Sequence, residues 1–300
     1  MAARLDPLPL EQLPALPALR LAVVGHVEVV TFLALESLPR AGLVQTARAC
    51  LDLPGGAGAV AAVQLARLTG VPVRFHTALG RDAVGERAAQ VLSELGLDLQ
   101  VAWRDAPTRR GVSLGDRSGE RSIVVIGERL SPRADDPLPW HELARCDGVF
   151  ATAADVAALR QARAARVLTA TPRLPLPVLQ EAGVALDALI GSGLDPAERV
   201  PPGALRPAPV LRIATAGAQG GMAEPLGAFA APPRARPVVD SYGAGDCFAA
   251  GVTAGLAAGW SAHQAISLGC HCGSACLDGL GPYAGQLRRG AGGWSQEPLG

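Results

Sequence analysis

Asp240-Ser241-Tyr242-Gly243-Ala244-Gly245-Asp246 sets two carboxylates around three residues with little or no side chain, directly before the apolar run CFAAGVTAGLAAG. Small residues let backbone N–H groups approach a ligand closely, and the free N–H groups and dipole of a helix start favour bound anions. The loop therefore reads as a phosphate cradle. A carboxylate inside it repels a phosphate, so Asp246 needs another role. Beside a group in transfer it can accept the proton of an attacking hydroxyl, which makes it a candidate general base for phosphoryl transfer. Asp240 and Ser241, just before the loop, could cap it or help hold a cation. Against this stands the plainer reading that, in a chain with 36 glycines, Gly-Ala-Gly is common and an Asp near a helix start is a cap.

The elements that would position such a loop follow from periodicity. Short β-branched runs alternate with longer Ala/Leu-rich segments, the pattern of parallel strands joined by crossover helices. LRLAVVGH, VPVRFHTALG, DGVFATA, ARVLTAT, DALIG and VLRIATAG read as core strands. GAGAVAAVQLARLTG and AVGERAAQVLSELG read as helices stopped by glycine. Two stretches break the rhythm: residues from about 28 to 53 and from about 103 to 126, the latter with a turn at Asp116 to Gly119. Consecutive strands without helices between them predict a small separate sheet. Residues 288–300 are glycine-rich and unpatterned, and are expected to be poorly ordered.

Composition narrows the function classes. The chain has 300 residues, 49% of them hydrophobic, and 27 basic against 27 acidic side chains. That is enough to bury a full core as one domain, and the balanced charge leaves no footprint for nucleic acid or an anionic membrane. No apolar run reaches the roughly 18 to 20 residues of a membrane span, and acidic residues and prolines interrupt the N-terminal leucines, so the expectation is a cytoplasmic protein. Six cysteines are too few for a disulfide scaffold. In CHCGSAC, Cys270 and Cys272 would point about 160° apart on a helix, which favours core packing over zinc. The chain contains no lysine and no asparagine, so every side-chain cation other than histidine is arginine.

Asp240 to Asp246 resembles the D-T-x-G-A-G-D signature of the ribokinase-like (pfkB) carbohydrate kinases, with Ser241 for threonine. A strand ending at Gly25, the pair Gly55-Gly56, LGRDAVGE at Gly80 onward and TAGAQGG from Thr215 follow in the family's order. The resemblance implies an α/β fold: a Rossmann-like, doubly wound, mostly parallel sheet flanked by helices, with a small β-sheet lid. It implies ATP-dependent phosphorylation of a hydroxyl on a small sugar or sugar-like substrate, with Asp246 as base and Gly243, Ala244 and Gly245 as the anion hole. Thr215, Gly217 and Gly220 would line the nucleotide, and Gly55, Gly56 and Glu28 the substrate. Asp195 would hold Mg2+, and Asp240 would stand near a monovalent cation. A homodimer through the lid is a further implication.

Several positions depart from that pattern. Where the family has G-x-x-N-x-D, this chain has Gly25-His26-Val27-Glu28-Val29-Val30, so Val30 replaces a sugar-holding aspartate and Glu28 stands at the asparagine. Val60 replaces an asparagine that contacts the sugar, and Ser192-Gly193-Leu194-Asp195 stands in place of N-x-x-E. Glu28 could equally be a solvated charge on a lid strand, and Asp195 a helix cap. Arg109 and Arg110 could bind an anionic substrate such as a sugar phosphate, or be surface arginines. The readings left open are a nucleoside or sugar-phosphate kinase, and a ligand-sensing protein on this scaffold.

Overall fold

Leu21–Val24, Gly148–Ala151 and Val167–Ala170 are buried at every position. A strand covered by helices on both faces has no solvent side, which is why these read as continuous apolar runs rather than alternating ones. They lie in a computed structural model that describes residues 4–117, 119, 121–290 and 293–295. In chain order its strands are β1 (Leu21–Val24), β2 (Glu28–Ala34), β3 (Ala49–Gly55), β4 (Val73–Gly80), β5 (Leu97–Arg104), β6 (Arg110–Gly115) and β7 (Arg121–Ile126). They continue with β8 (Gly148–Ala151), β9 (Val167–Ala170), β10 (Ala188–Ser192), β11 (Leu211–Thr215), β12 (Gly221–Glu224) and β13 (Gly227–Phe229). The helices are α1 (Ala57–Thr69), α2 (Ala83–Glu94), α3 (Val156–Ala162), α4 (Leu176–Ala182), α5 (Ala244–Ala257) and α6 (Ala262–Cys276).

Nine strands form one sheet in the order β13-β12-β11-β10-β9-β8-β1-β4-β5, parallel from β11 to β5, with β12 and β13 added antiparallel at the edge. From β1 the chain moves first to β4 and β5 on one side, then to β8 on the other. That reversal makes the strand ends beyond β1 and β8 the topological switch point, where open α/β sheets bind ligands. Two cores cover the two faces: one beneath α1, α5 and α6, the other beneath α3 and α4.

The second sheet has the order β3-β2-β6-β7, with β2 parallel to β6 and the other pairs antiparallel. It occupies the two stretches that broke the helix–strand rhythm. The second stretch begins later than expected, because residues 103 and 104 still pair with β4 in the main sheet. Along β2 burial alternates, so Glu28, Val30 and Phe32 share the inward face. β7 leaves Ile123, Val124, Val125 and Ile126 exposed.

Of the tail expected to be poorly ordered, Arg288–Gly290 and Gly293–Ser295 pair as antiparallel strands, while residues 291, 292 and 296–300 lie outside the described residues. No helix among the described residues is long and apolar enough to cross a membrane.

Candidate active site

α5 starts where the sequence placed the cradle. Gly243 is its N-cap with φ +82, and a Cβ there would lie 2.9 Å from Val60 Cγ1, so both the conformation and the space require glycine. The amides of Gly245 and Asp246 carry no backbone acceptor among the described residues, and Gly245 faces open space. These are free donors at the positive end of a 14-residue helix. Asp240 braces the approach: one carboxylate oxygen accepts the Tyr242 N–H at 2.9 Å and the other the Gly281 N–H at 2.9 Å. Ser241 Oγ accepts a hydrogen bond of 2.6 Å from Arg121 of β7, which ties the loop to the second sheet.

Asp246 is partly buried, and its side chain accepts no hydrogen bond among the described residues. Burial pushes its carboxyl above the usual carboxylate range, and the Arg173 guanidinium opposes that rise. Asp246 is in turn the main reason the Arg173 guanidinium is held above its ordinary value. Arg173 follows β9, and its Nε donates to buried Glu198 at 2.8 Å; the other Glu198 oxygen accepts the Ser192 N–H at 2.8 Å. Two strand ends, those of β9 and β10, and the helix start over them therefore converge on one carboxylate, one arginine–glutamate ion pair and two free amides.

The residues expected on the substrate side are packed against each other. Glu28 is 7% exposed; Arg109 Nε donates to one of its oxygens at 3.0 Å and the Tyr242 hydroxyl to the other at 3.0 Å. The same hydroxyl accepts the Gly56 N–H at 2.9 Å. The spaces that glycine opens at Gly55 and Gly56 are filled by this chain: a Cβ at Gly55 would meet the Tyr242 hydroxyl at 2.7 Å and Val30 at 3.1 Å, and one at Gly56 the His26 ring at 3.1 Å. Val30 and Val60 are fully buried. His26 is also buried, and Arg129, Arg173 and Arg109 add to burial in holding it well below the usual histidine range.

The remaining expected residues lie at the ends of β10 and β11. Thr215 closes β11 and donates from Oγ1 to the Gly191 carbonyl at 3.3 Å; Gly217 and Gly220 shape the turn into β12. Asp195 caps a short 3-10 turn, one oxygen accepting the Ala197 N–H at 2.9 Å. The cysteines of α6 are buried, and Cys276 Sγ sits 3.3 Å from the Tyr242 carbonyl behind the loop. Arg110 is exposed, unlike Arg109. Sequence reasoning missed Arg173, Glu198, Tyr242, Arg121 and Arg129. The available signal was position, since Arg173 and Glu198 stand just beyond strand ends at the switch point.

The family model described as pfkB family carbohydrate kinase matches residues 18–192 and 210–287. The chain belongs to this family. A ribokinase of Arabidopsis thaliana is 32% identical over 111 residues, 36% of the pfkB chain and 29% of that protein's own length. Among solved structures, the Thermotoga maritima ribokinase aligns with a TM-score of 0.69 at 19% identity over 90% of this chain and 97% of that one. A putative ribokinase from Agrobacterium tumefaciens gives 0.72 at 21%, covering 90% and 94%. The Arabidopsis thaliana ribokinase complexed with ribose and ATP gives 0.65 at 21%, covering 88% and 94%. The nine-stranded sheet with its separate small sheet is the pfkB kinase fold.

Proposed function

We propose that this pfkB protein transfers the γ-phosphoryl group of ATP to a hydroxyl of a small sugar or sugar-like alcohol. One observation carries the reading: the unpaired amides of Gly245 and Asp246 and the Asp246 carboxylate share the start of α5, above the switch point and beside Arg173. In the step, the acceptor hydroxyl gives its proton to Asp246 while its oxygen bonds to the γ-phosphorus and the bond to the β-phosphate oxygen breaks, releasing ADP. Burial favours this, because a carboxylate whose pKa is raised is a stronger base than a free one. The Gly245 and Asp246 amides and Arg173 offset charge on the moving phosphoryl, a contribution that needs only fixed donors in place before reaction. Thr215, Gly217 and Gly220, at the end of β11, would line the nucleotide.

Magnesium would enter with ATP and neutralise phosphate charge. Glu198 has both oxygens engaged, whereas Asp195 is exposed, with one oxygen accepting no hydrogen bond among the described residues. A cation that keeps several waters and takes phosphate ligands needs one such carboxylate. Asp195 therefore fits that ion. The exposed apolar strand β7 supports the lid as the surface of a homodimer.

Turnover of ATP across a panel of sugars, nucleosides and sugar phosphates tests the reading. Asp246→Asn is expected to lower kcat by roughly 10²- to 10⁴-fold, the usual worth of a general base, with ATP affinity within a few-fold. Unchanged kcat in this variant overturns the assignment. Ligand-dependent thermal stabilisation without turnover by the native chain favours a sensing protein instead.

A further inference from the structure

We propose that the acceptor substrate carries an anionic group, a phosphate or a carboxylate, that seats against Arg109, Arg129 and His26 while its reacting hydroxyl faces Asp246. The proposal rests on the kinase reading above and concerns the other end of the same substrate.

The residues around Glu28 and the Gly55-Gly56 pair offer little to a neutral polyol. Val30 and Val60 are fully buried and cannot hydrogen-bond, and the spaces at Gly55 and Gly56 are filled by Tyr242, Val30 and His26. Glu28, the remaining carboxylate on β2's inward face, already accepts from Arg109 and Tyr242. What this cluster has in excess is unused N–H donors. A guanidinium has five N–H groups. Among the described residues, the side chains of Arg109, Arg129 and Arg173 each use one: Arg109 on Glu28, Arg173 on Glu198, and Arg129 Nη1 on the Arg173 carbonyl at 3.1 Å.

Contact-distance ion pairing leaves one of the three without a partner, the third carboxylate of the cluster, Asp246, acting on Arg173. Arg109 is matched by Glu28 and Arg173 by Glu198, but no carboxylate lies within ion-pair distance of Arg129 among the described residues. Its Nε is buried without a partner. His26, 2% exposed, has a buried Nδ1 without a partner too, and its neutral ring adds a donor or acceptor without adding charge. A half-buried cation and an orphaned imidazole are costly unless something pairs with them. An anion that accepts several N–H groups at once satisfies both.

The anion could instead be a phosphate of ATP, and the sheet argues against that. Arg109 pairs with Glu28 at the head of β2, just beyond β1, whereas the expected nucleotide residues close β11. β11 stands four strand spacings from β1, roughly 19 Å at the usual inter-strand distance. Arg173, beyond β9, lies between the two and faces Asp246, the place of the transferred group.

The test uses matched pairs on the full chain: ribose against ribose 5-phosphate, fructose against fructose 6-phosphate, and glucose against gluconate. Thermal shift without ATP and turnover with ATP are both measured. The expected result is at least tenfold higher kcat/KM for an anionic member than for its neutral partner. Arg129→Gln then raises the KM of that substrate roughly tenfold or more, with the loss in KM rather than in kcat. Arg129→Lys, which keeps the charge, recovers part of the affinity and separates loss of charge from loss of structure. The phosphate and carboxylate arms decide which anion is meant. Equal efficiency for neutral partners overturns the proposal and leaves the kinase reading intact. So does a rise confined to the KM of ATP, or stabilisation by inorganic phosphate as large as by any sugar phosphate. Stabilisation by an anionic sugar that Arg129→Gln removes, without turnover, supports the anion site and defeats the kinase reading.

Discussion

Two stretches meet at Tyr242 and differ in what they retain. On one side, Asp240 to Asp246 keeps each feature that its chemistry needs: a braced approach, a left-handed glycine, free amides and a carboxylate at the helix start. On the other, β2 and the start of α1 keep the backbone path, with Glu28 registered on Gly55 and Val30 on Leu53, but carry valines where polar groups would read a sugar. The backbone path is set by strand pairing and burial, which tolerate any apolar side chain of suitable size. Acceptor choice is set by a few side-chain heads, which the path does not constrain. The same scaffold can therefore hold its chemistry constant while its substrate changes, and Tyr242 is the link, one hydroxyl bonded to both sides.

If the loop side is the chemical one, its charges should move a pH profile and those of the acceptor side should not. Arg173→Gln removes the cation that opposes the burial-driven rise of Asp246. Asp246 acts as a base only when ionised, so activity falls as pH drops through its pKa. Without Arg173 that pKa rises further, and the acid limb of kcat moves to higher pH. At neutral pH the loss should be roughly 10- to 100-fold, the worth of one interaction with a charged group, with partial recovery in more alkaline buffer. An acid limb that stays in place would show that Arg173 does not tune Asp246.

The link itself should answer in stability. Tyr242→Phe keeps the ring, including its edge-to-face contact with Phe32 at 4.9 Å, but leaves the buried Gly56 N–H without its acceptor and Glu28 with one donor fewer. The expected cost is about 1–3 kcal/mol in denaturant unfolding. Because burial and Glu28 hold the phenol well above its ordinary pKa, the hydroxyl stays neutral and that cost should not vary through the neutral range. A cost that appears in kcat with no change in stability would place Tyr242 in the chemistry instead.

The contrast also explains what the sequence disclosed. β1, β8 and β9 were legible because a strand buried on both faces leaves an uninterrupted apolar run, and the loop because small residues flanked by carboxylates before an apolar helix have few other uses. The second sheet was legible only as a break in rhythm, and its boundary at residue 103 fell inside β5. Arg173 and Glu198 were not legible: they are 25 residues apart, and only the parallel pairing of β9 with β10 brings the strand ends together. Arg109 could not be told from Arg110 without the register that turns one toward Glu28 and leaves the other exposed.

The smallest effect is expected at the edge of the proposed nucleotide side. Asp195→Asn keeps an oxygen to accept the Ala197 N–H, so the 3-10 turn and the melting temperature should be unaffected. What it removes is one negative charge at the end of β10. If Asp195 reaches magnesium through water, the magnesium concentration for half-maximal turnover should rise a few-fold while kcat at saturating magnesium returns to the native level, because the phosphates supply the other ligands. An unchanged magnesium dependence would make Asp195 a cap alone. The whole cation would then rest on ATP and water, and the loop at Asp246 would remain as the chain's contribution to phosphoryl charge.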